Sequence, residues 1–320
     1  MEKLQNIERE QEVCQKIIDE MKKVIVGKDE QLRLLLVCLL SKGHILIEDV
    51  PGVGKTTAAS AMAKAIGLDA KRVQFTPDVM ATDISGFTAP DSKTGEFVYK
   101  PGVCMTNILI ADEINRTSPK TQSALLEVME ERQVTVDGVT YKLPEPFMVV
   151  ATQNPLGYVG TYPLPEAQLD RFLMKMSMGY PNAAEEARII SARHGVNPMD
   201  TVEAVVTPEE IVAMQKTVER IHVDPAVLDY IVDLVCATRK NAMVALAASP
   251  RASLALLRAA CANAMLNGRT YVIPKDVSDL YQSIVSHRIM LAPEARIERM
   301  TSEQLSATLK ESVKAPIVKK

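Results

Sequence analysis

Residues 44–57 read His44-Ile45-Leu46-Ile47-Glu48-Asp49-Val50-Pro51-Gly52-Val53-Gly54-Lys55-Thr56-Thr57: an apolar β-like run, a turn with two glycines and the start of a helical stretch. Nothing else in the chain restricts its fold as much. A strand that turns sharply into a helix leaves backbone N–H groups converging at the helix N-terminus, where the helix dipole adds favourable charge for an anion. Gly52 and Gly54 permit the turn and a close approach. Lys55 then reaches the β- and γ-phosphates of a nucleoside triphosphate, and the Thr56 hydroxyl is placed to ligate Mg²⁺. The candidate cradle is Asp49, Val50, Pro51, Gly52, Val53, Gly54, Lys55, Thr56 and Thr57. The general GxxxxGK[ST] pattern has glycine where Asp49 stands; local hydrogen bonding could hold a carboxylate there outside the cradle, but it makes the pattern alone weaker. A turn that uses glycine for geometry alone, with its lysine in solvent, is the plain alternative.

The next segments weigh against that alternative. Asn107-Ile108-Leu109-Ile110-Ala111-Asp112-Glu113 is an apolar strand ending in two carboxylates. It puts Asp112 where it can hold Mg²⁺ and Glu113 where it can orient an attacking water. A third strand, Phe147-Met148-Val149-Val150-Ala151, leads into Thr152-Gln153-Asn154-Pro155. An amide at the end of a central strand can hold the water or sense the γ-phosphate, although Asn before Pro is also an ordinary turn residue. The candidate metal ligands are Thr56 and Asp112.

At 320 residues the chain is about twice the usual domain length, which predicts two domains. Strand-like runs over 44–47, 72–75, 107–111, 147–151 and 172–177 alternate with helical stretches, the pattern of a mostly parallel sheet covered by helices. Ser118 can cap, and Pro119 can open, a helix running to Glu131, and Gly67 can close the helix begun at Lys55. Two insertions, 82–101 and 133–144, interrupt the alternation, and Asp137-Gly138 in the second signals a hairpin. After Gly179-Tyr180-Pro181-Asn182 only helices are predicted, over 183–193, 208–220, 225–240, 250–266 and 274–288. Several begin with Thr, Asp or Ser before Pro. The expected division is an α/β nucleotide domain over 1–180, with an amphipathic helix over 1–23, and a helical domain over 181–320 ending in a mobile polar tail from Thr301.

Composition narrows the function classes. Lys plus Arg number 37 and Asp plus Glu 40, a formal charge of −3 with no basic block, which disfavours nucleic acid as a partner. The longest apolar run, 34–40, is seven residues, where a membrane helix needs about 20. The first ten residues lack a secretory pattern, so a cytoplasmic location is expected. Five cysteines, odd in number and widely spaced, read as reduced thiols, and four scattered histidines read as structural.

Taken in order, these residues resemble the AAA+ ATPases, and more closely the MoxR family within them. The distinctive matches are Asp112-Glu113-Ile114-Asn115-Arg116, the run from Lys120 to Thr135, Ala151-Thr152-Gln153-Asn154-Pro155, the run from Gly160 to Phe172, and Ser249-Pro250-Arg251. The family often carries Asp at the first loop position, so Asp49 fits. The resemblance implies an α/β AAA+ nucleotide domain with a central parallel sheet, followed by an all-α helical lid. It implies ATP and Mg²⁺ as cofactors and a homo-oligomeric, hexameric ring that hydrolyses ATP between neighbours. It assigns Asn154 a sensor role, gives Arg251 a second sensor role at the γ-phosphate of the same subunit, and lines the adenine pocket with backbone near Val26 and Gly27. The catalytic set is then Lys55, Glu113, Asn154, Arg251 and an arginine reaching the neighbour. Arg171, at the end of a short helix before the last strand, is chosen for that arginine, with Arg116 and Arg132 as rivals.

The resemblance further implies a chaperone-like motor that remodels or matures partner complexes, with a partner carrying a von Willebrand factor A domain. The two insertions would be exposed hairpins. Phe87, Phe97, Tyr99 or the Asp137-Gly138 tip would meet a client, or the hairpins would only extend the sheet or pack on neighbours. Two other functions stay open. One is the ATPase subunit of a magnesium-chelatase-like complex. The other is a nucleic-acid motor, which the charge and the 4% aromatic content disfavour.

Overall fold

Two helices precede the first strand. α1 (Ile7–Lys22) turns Ile7, Cys14, Ile17, Ile18 and Met21 inward at the spacing of an amphipathic helix. α2 (Asp29–Leu40) is apolar over most of its surface and is buried from Leu34 onward, as a helix packed on several sides must be. β1 (Ile45–Glu48) follows, and α3 (Lys55–Ile66) is bounded by Gly54 at φ 90° and Gly67 at φ 72°. β2 (Ala70–Gln74) and the short α4 (Ala81–Ser85) lead into an antiparallel hairpin, β3 (Gly86–Pro90) with β4 (Phe97–Pro101). The computed structural model describes residues 7–154, 162–192, 194–195 and 197–317. Pro155, Gly160, Thr161, Arg193 and the first six and last three residues, which the sequence expectations touch, lie outside the described residues.

β5 (Ile108–Asp112) is buried throughout. α5 (Pro119–Glu131) starts where expected, with the Ser118 side chain accepting from the Thr121 N–H. β6 (Gln133–Val136) and β7 (Val139–Lys142) form the second hairpin, with Asp137 at φ 50° and Gly138 at φ 79° making its two-residue turn. β8 (Met148–Gln153), α6 (Glu166–Leu169) and β9 (Met174–Met176) complete the first region.

The main sheet runs in the order β2-β5-β8-β1-β9 with every neighbouring pair parallel. All five strands therefore end at one edge, and the segments that follow β1, β5 and β8 meet there. Alternation along the strands feeds two cores. Ile45, Ile47, Ile108, Ile110, Met148 and Val150 face one way, into a cluster with α1, α2, α3 and the later helices. Leu46, Leu109, Ala111, Val149 and Ala151 face the other, against Leu125, Leu126 and Met129 of α5 and against Phe75 and Phe172.

The rest of the chain is a helical lid: α7 (Ala183–Ala192), α8 (Pro208–Val218), α9 (Pro225–Lys240), then β10 (Val244–Leu246), α10 (Pro250–Leu266) and α11 (Pro274–Val285). Thr207, Asp224 and Ser249 cap α8, α9 and α10 as their Thr-Pro, Asp-Pro and Ser-Pro pairs predict. Two features depart from expectation. β10 pairs antiparallel with β11 (Met290–Leu291), a small ribbon that short, half-exposed runs do not announce. Past α12 (Pro293–Ile297), the segment expected as a mobile tail instead forms α13 (Ser302–Ser312). Thr301 and Gln304 cap it reciprocally, and Leu305 and Leu309, one turn apart, are buried against the lid. The lid also shares its core with the first region. α2 gives the Leu39 carbonyl to Gln215 and Arg33 to Asn263, at 2.7 Å in each case.

Candidate active site

The loop after β1 has the shape its residues demand. Gly52 and Gly54 sit at φ 89° and 90°, in the left-handed region where a side chain would be strained. Asp49 is pinned away from the cradle. Its Oδ1 accepts from the Val50 N–H at 2.8 Å, and its Oδ2 accepts from the Ser177 hydroxyl at 2.7 Å and the Gly179 N–H at 2.6 Å. Burial works to raise its pKa, but these hydrogen bonds hold the carboxyl below the usual carboxylate range. Asp49 thus ties the loop entrance to the segment where the chain leaves β9 for the lid.

Lys55 is buried and donates to the Asp49 carbonyl at 2.5 Å and the Val50 carbonyl at 3.2 Å. Burial lowers its pKa, and Asp49, Asp112 and Glu113 oppose that shift. Its ammonium rests on the loop's own carbonyls, within the space that a phosphate chain would share. The Thr56 hydroxyl lies 3.1 Å from both oxygens of Asp112, and the Thr152 hydroxyl donates to Asp112 Oδ1 at 3.2 Å. A hydroxyl beside a buried carboxylate is a hard-oxygen pair of the kind that suits Mg²⁺, which also draws on phosphate oxygens.

Glu113 and Asn154 meet at the ends of β5 and β8. Glu113 takes the left-handed conformation at φ 56°, its N–H donating to the Thr152 hydroxyl at 3.0 Å. Its Oε1 accepts from the Asn154 amide at 3.1 Å, and its Oε2 accepts from Gln74 at 2.9 Å and Arg116 at 2.8 Å. Burial pushes this carboxyl up, but Arg116, Asn154 and Lys55 hold it low, so it is ionised at neutral pH. Two contributors were missed from sequence. Arg72 Nε donates to Asp112 Oδ2 at 2.6 Å, and Gln74 touches Glu113. Their signal was the i, i+2 spacing on β2, which places both on one face of the strand beside β5.

The slot that the resemblance implies for adenine falls on a cavity beside the cradle. A cavity of about 120 Å³ is lined by Val24, Ile25, Val26, Gly52, Val53, Pro181 and Ile189 among others. Gly27 sits at φ +73°, and a Cβ there would stand 2.0 Å from Glu185 Oε1. A side chain there would be strained by the backbone and would push the Glu185 side chain aside.

The arginines lie elsewhere. Arg171 and Arg251 share Glu130, at 2.8 Å and 2.6 Å. They line a cavity of about 470 Å³ whose wall includes Lys42, Gly43 and His44, the residues that precede β1. The phosphate loop follows β1, and the strand between spans about 13 Å at 3.3 Å per residue. Ser249 fixes the start of α10 at that far end by donating to Asp170 Oδ2 at 2.9 Å. Arg251 therefore sits on Glu130, apart from the cradle of its own chain, whereas the resemblance implies that it reads the γ-phosphate of the same subunit. Of the rivals to Arg171, Arg116 is engaged by Glu113 of its own chain, and Arg132 donates to the Lys42 carbonyl at 2.5 Å. The two hairpins pack on each other through Tyr99 and Tyr141, leaving Phe97 75% and Phe87 48% exposed. Among the described residues no helix is long and apolar enough to cross a membrane.

Comparison with known proteins agrees with this geometry. The profile of the ATPase family associated with various cellular activities (AAA) matches residues 44–174, and that of the AAA lid domain matches residues 236–309. The chain is 50% identical over 302 residues to the uncharacterized protein YeaC of Bacillus subtilis, covering 94% of each. It is 42% identical over 313 residues to Chaperone MoxR1 of Mycobacterium tuberculosis, covering 95% of this chain and 82% of that one. With Protein MoxR of Methylorubrum extorquens the identity is 31% over 323 residues, covering 93% of each. A crystal structure of a proposed ATPase from Cytophaga hutchinsonii superposes with a TM-score of 0.90 at 36% identity, over 98% of this chain and 97% of that one. The two family profiles fall on the nucleotide region and the lid, the named relatives match along most of their length, and the chain belongs to the MoxR family of AAA+ ATPases.

Proposed function

We propose that the chain is an ATP-hydrolysing, chaperone-like motor that works as a ring, with each nucleotide held by one subunit and completed by the next. The observation that carries this reading is the separation within one chain of Glu113 and Lys55, at one end of the sheet, from Arg171 and Arg251, at the other. The cradle's own arginines, Arg72 and Arg116, are taken up by Asp112 and Glu113, and the remote pair, Arg171 and Arg251, complements it between copies. The nucleotide domain, 1–180, supplies the cradle and Arg171, and the lid, 181–320, supplies Arg251.

In this mechanism Lys55 leaves the carbonyls of Asp49 and Val50 for the β- and γ-phosphates. Thr56 and Asp112 would hold Mg²⁺, which would neutralise phosphate charge and orient the transferred group. Asn154, Gln74 and Arg116 hold the Glu113 carboxylate, which aligns the attacking water. Arg171 and Arg251 of the adjacent copy supply positive potential where charge develops. By family resemblance the ring is hexameric, acts in the cytoplasm and remodels or matures client complexes with a partner bearing a von Willebrand factor A domain. The exposed Phe87 and Phe97 support the hairpins as its contact with clients.

A complementation experiment tests the shared site. Arg171→Ala keeps the cradle and Lys55→Ala keeps the arginines, so each ring alone should turn over ATP slowly while mixed rings recover activity. An absence of recovery in mixed rings of normal size would show that the arginine acts within its own chain. Capture of partners on Glu113→Gln rings loaded with ATP would identify the client, and recovery of no von Willebrand factor A protein from the native host would remove that part of the proposal.

A further inference from the structure

We infer that Arg288, with Asp170 and Ser249, is a clamp by which the lid sets the position of Arg171, so that all three are positioning residues for hydrolysis in the neighbouring subunit. The inference rests on the proposed role of Arg171 and adds to it a device that the mechanism does not require in advance.

The clamp is built from a guanidinium whose side chain is 3% exposed. Arg288 lies just past the end of α11, and its donors converge on the turn between α6 and β9. Nε meets Asp170 Oδ1 at 2.7 Å, Nη2 meets the Phe172 carbonyl at 2.6 Å and the Asp170 carbonyl at 3.2 Å, and Nη1 meets the Leu173 carbonyl at 3.1 Å and the Ile284 carbonyl. The second oxygen of Asp170 accepts from Ser249 at 2.9 Å. The Leu173 N–H donates to the His44 carbonyl at 2.8 Å, and Phe172 is fully buried. Of the four residues 170–173, three are therefore fixed by the lid or by the segment before β1. Arg171 alone sends its side chain outward, 31% exposed, to Glu130.

The energetics argue for a role beyond stability. Burying a guanidinium is costly unless every donor is satisfied, and an apolar residue of similar volume is often the more stabilising choice at such a site. What the planar fork provides, and a lysine cannot, is several donors in one rigid geometry. Here that geometry grips the backbone on both sides of one arginine. The same lid segment carries Arg251 two residues after Ser249, so the clamp makes Arg171 and Arg251 move as one body. A misplacement of about 1 Å at a reacting centre can cost about 10²-fold in rate, which sets the scale of effect expected when the clamp loosens.

The test uses assembled rings of full-length protein carrying Asp170→Asn or Arg288→Lys, each alone and combined with Arg171→Ala. Turnover is read in steady state and in single turnover, ATP affinity by calorimetry, and ring formation by light scattering. Loss of about 10- to 100-fold in kcat with unchanged KM, ATP affinity and ring size is expected, together with no further loss when either change is added to Arg171→Ala. Normal kcat in the Asp170→Asn ring would overturn the inference, and so would an equal loss in the presence and absence of Arg171, which is the mark of a merely structural effect. Should Arg288→Lys not fold, Asp170→Asn alone decides. If Arg171→Ala by itself turns over normally, the reading of Arg171 fails rather than the clamp's effect on the backbone, and the two failures are told apart by that single control.

Discussion

Asn154 donates its side-chain amide to Oε1 of Glu113 at 3.1 Å, across the ends of two neighbouring strands. β5 and β8 pair in parallel register from Ile108 opposite Met148 to Ala111 opposite Ala151, so the sheet brings together the residues that follow its two strand ends. Loss of an oriented donor at a reacting centre costs about 10² to 10³ in kcat. Asn154→Ala is therefore expected to lower turnover by about 10²-fold with little change in ATP affinity, read by steady-state kinetics beside calorimetry. A rise in KM with unchanged kcat would place Asn154 in substrate binding instead.

Lys55 and Glu113 should separate binding from chemistry. Lys55 is the buried cation nearest the phosphate space, whereas Glu113 carries negative charge and offers nothing to a triphosphate. Calorimetric titration with ATP and Mg²⁺ should show no binding to Lys55→Ala and retained binding to Glu113→Gln, which in turn should show no phosphate release. Turnover by Glu113→Gln within tenfold of the parent would assign water alignment to another residue.

His44 ties stability to pH. It is fully buried, its Nδ1 accepting from the Val149 N–H at 2.9 Å and its Nε2 donating to the Met129 carbonyl at 3.0 Å, so the native ring is neutral. Burial, with Arg132 nearby, lowers its pKa from 6.5 to about 4 against the raising effect of the Met129 bond. The unfolded chain takes the proton first, so this stability is complete above pH 6.5 and is lost as pH falls from there through 4. A drop from pH 7.5 to pH 5 should cost about 2 kcal/mol through this residue. Urea unfolding at the two pH values measures it, and a His44→Gln variant with the same pH dependence as the parent would contradict the assignment.

The cradle and the strand-end carboxylates were legible because their chemistry is local. Gly52, Gly54, Lys55 and Thr56 lie within one turn, and Asp112 and Glu113 each follow an apolar run that reads as a strand. What holds Asp49 was not legible, since Ser177 lies 128 residues away and only the β1–β9 pairing brings it near. Arg251 shows a different limit. Ser249-Pro250 marks a helix start correctly, but which end of the sheet that helix meets is decided by Asp170 and Arg288, and no periodicity encodes that choice. α13 was read as a tail because its composition is polar, although two leucines one turn apart were enough to dock it.

Asp49 offers a test of how loop and lid are joined. Replacing it with alanine takes the acceptor from the half-buried Gly179 N–H and the exposed Ser177 hydroxyl, which water can reach, so the cost is that of ordinary hydrogen bonds, about 0.5 to 1.5 kcal/mol each. Asp49→Ala should lower thermal stability and weaken ATP binding together, whereas Asp49→Asn, which keeps one carbonyl acceptor, should fall between. Unchanged ATP affinity in both would mean that the loop holds its shape without this tie.

Tyr99 and Tyr141 join the two hairpins, their rings stacked with centroids 4.0 Å apart and planes 14° from parallel. Tyr99 is further anchored by its hydroxyl, which donates to the Ser85 carbonyl at 2.6 Å at the base of the first hairpin. Hairpins of this length are marginal alone, so each is expected to draw order from the other, and a stacked aromatic pair is worth about 0.5 to 1.5 kcal/mol beyond its buried area. A double-mutant cycle of Tyr99→Leu and Tyr141→Leu should return a coupling energy in that range. Amide exchange should speed up in both hairpins when either ring is removed, while β1, β5 and β8 keep their protection. Exchange that quickens only in the hairpin carrying the substitution would show that the two insertions move independently, and a client gripping Phe97 would then have no route through this contact to the second hairpin, which leads directly into β8 and Asn154.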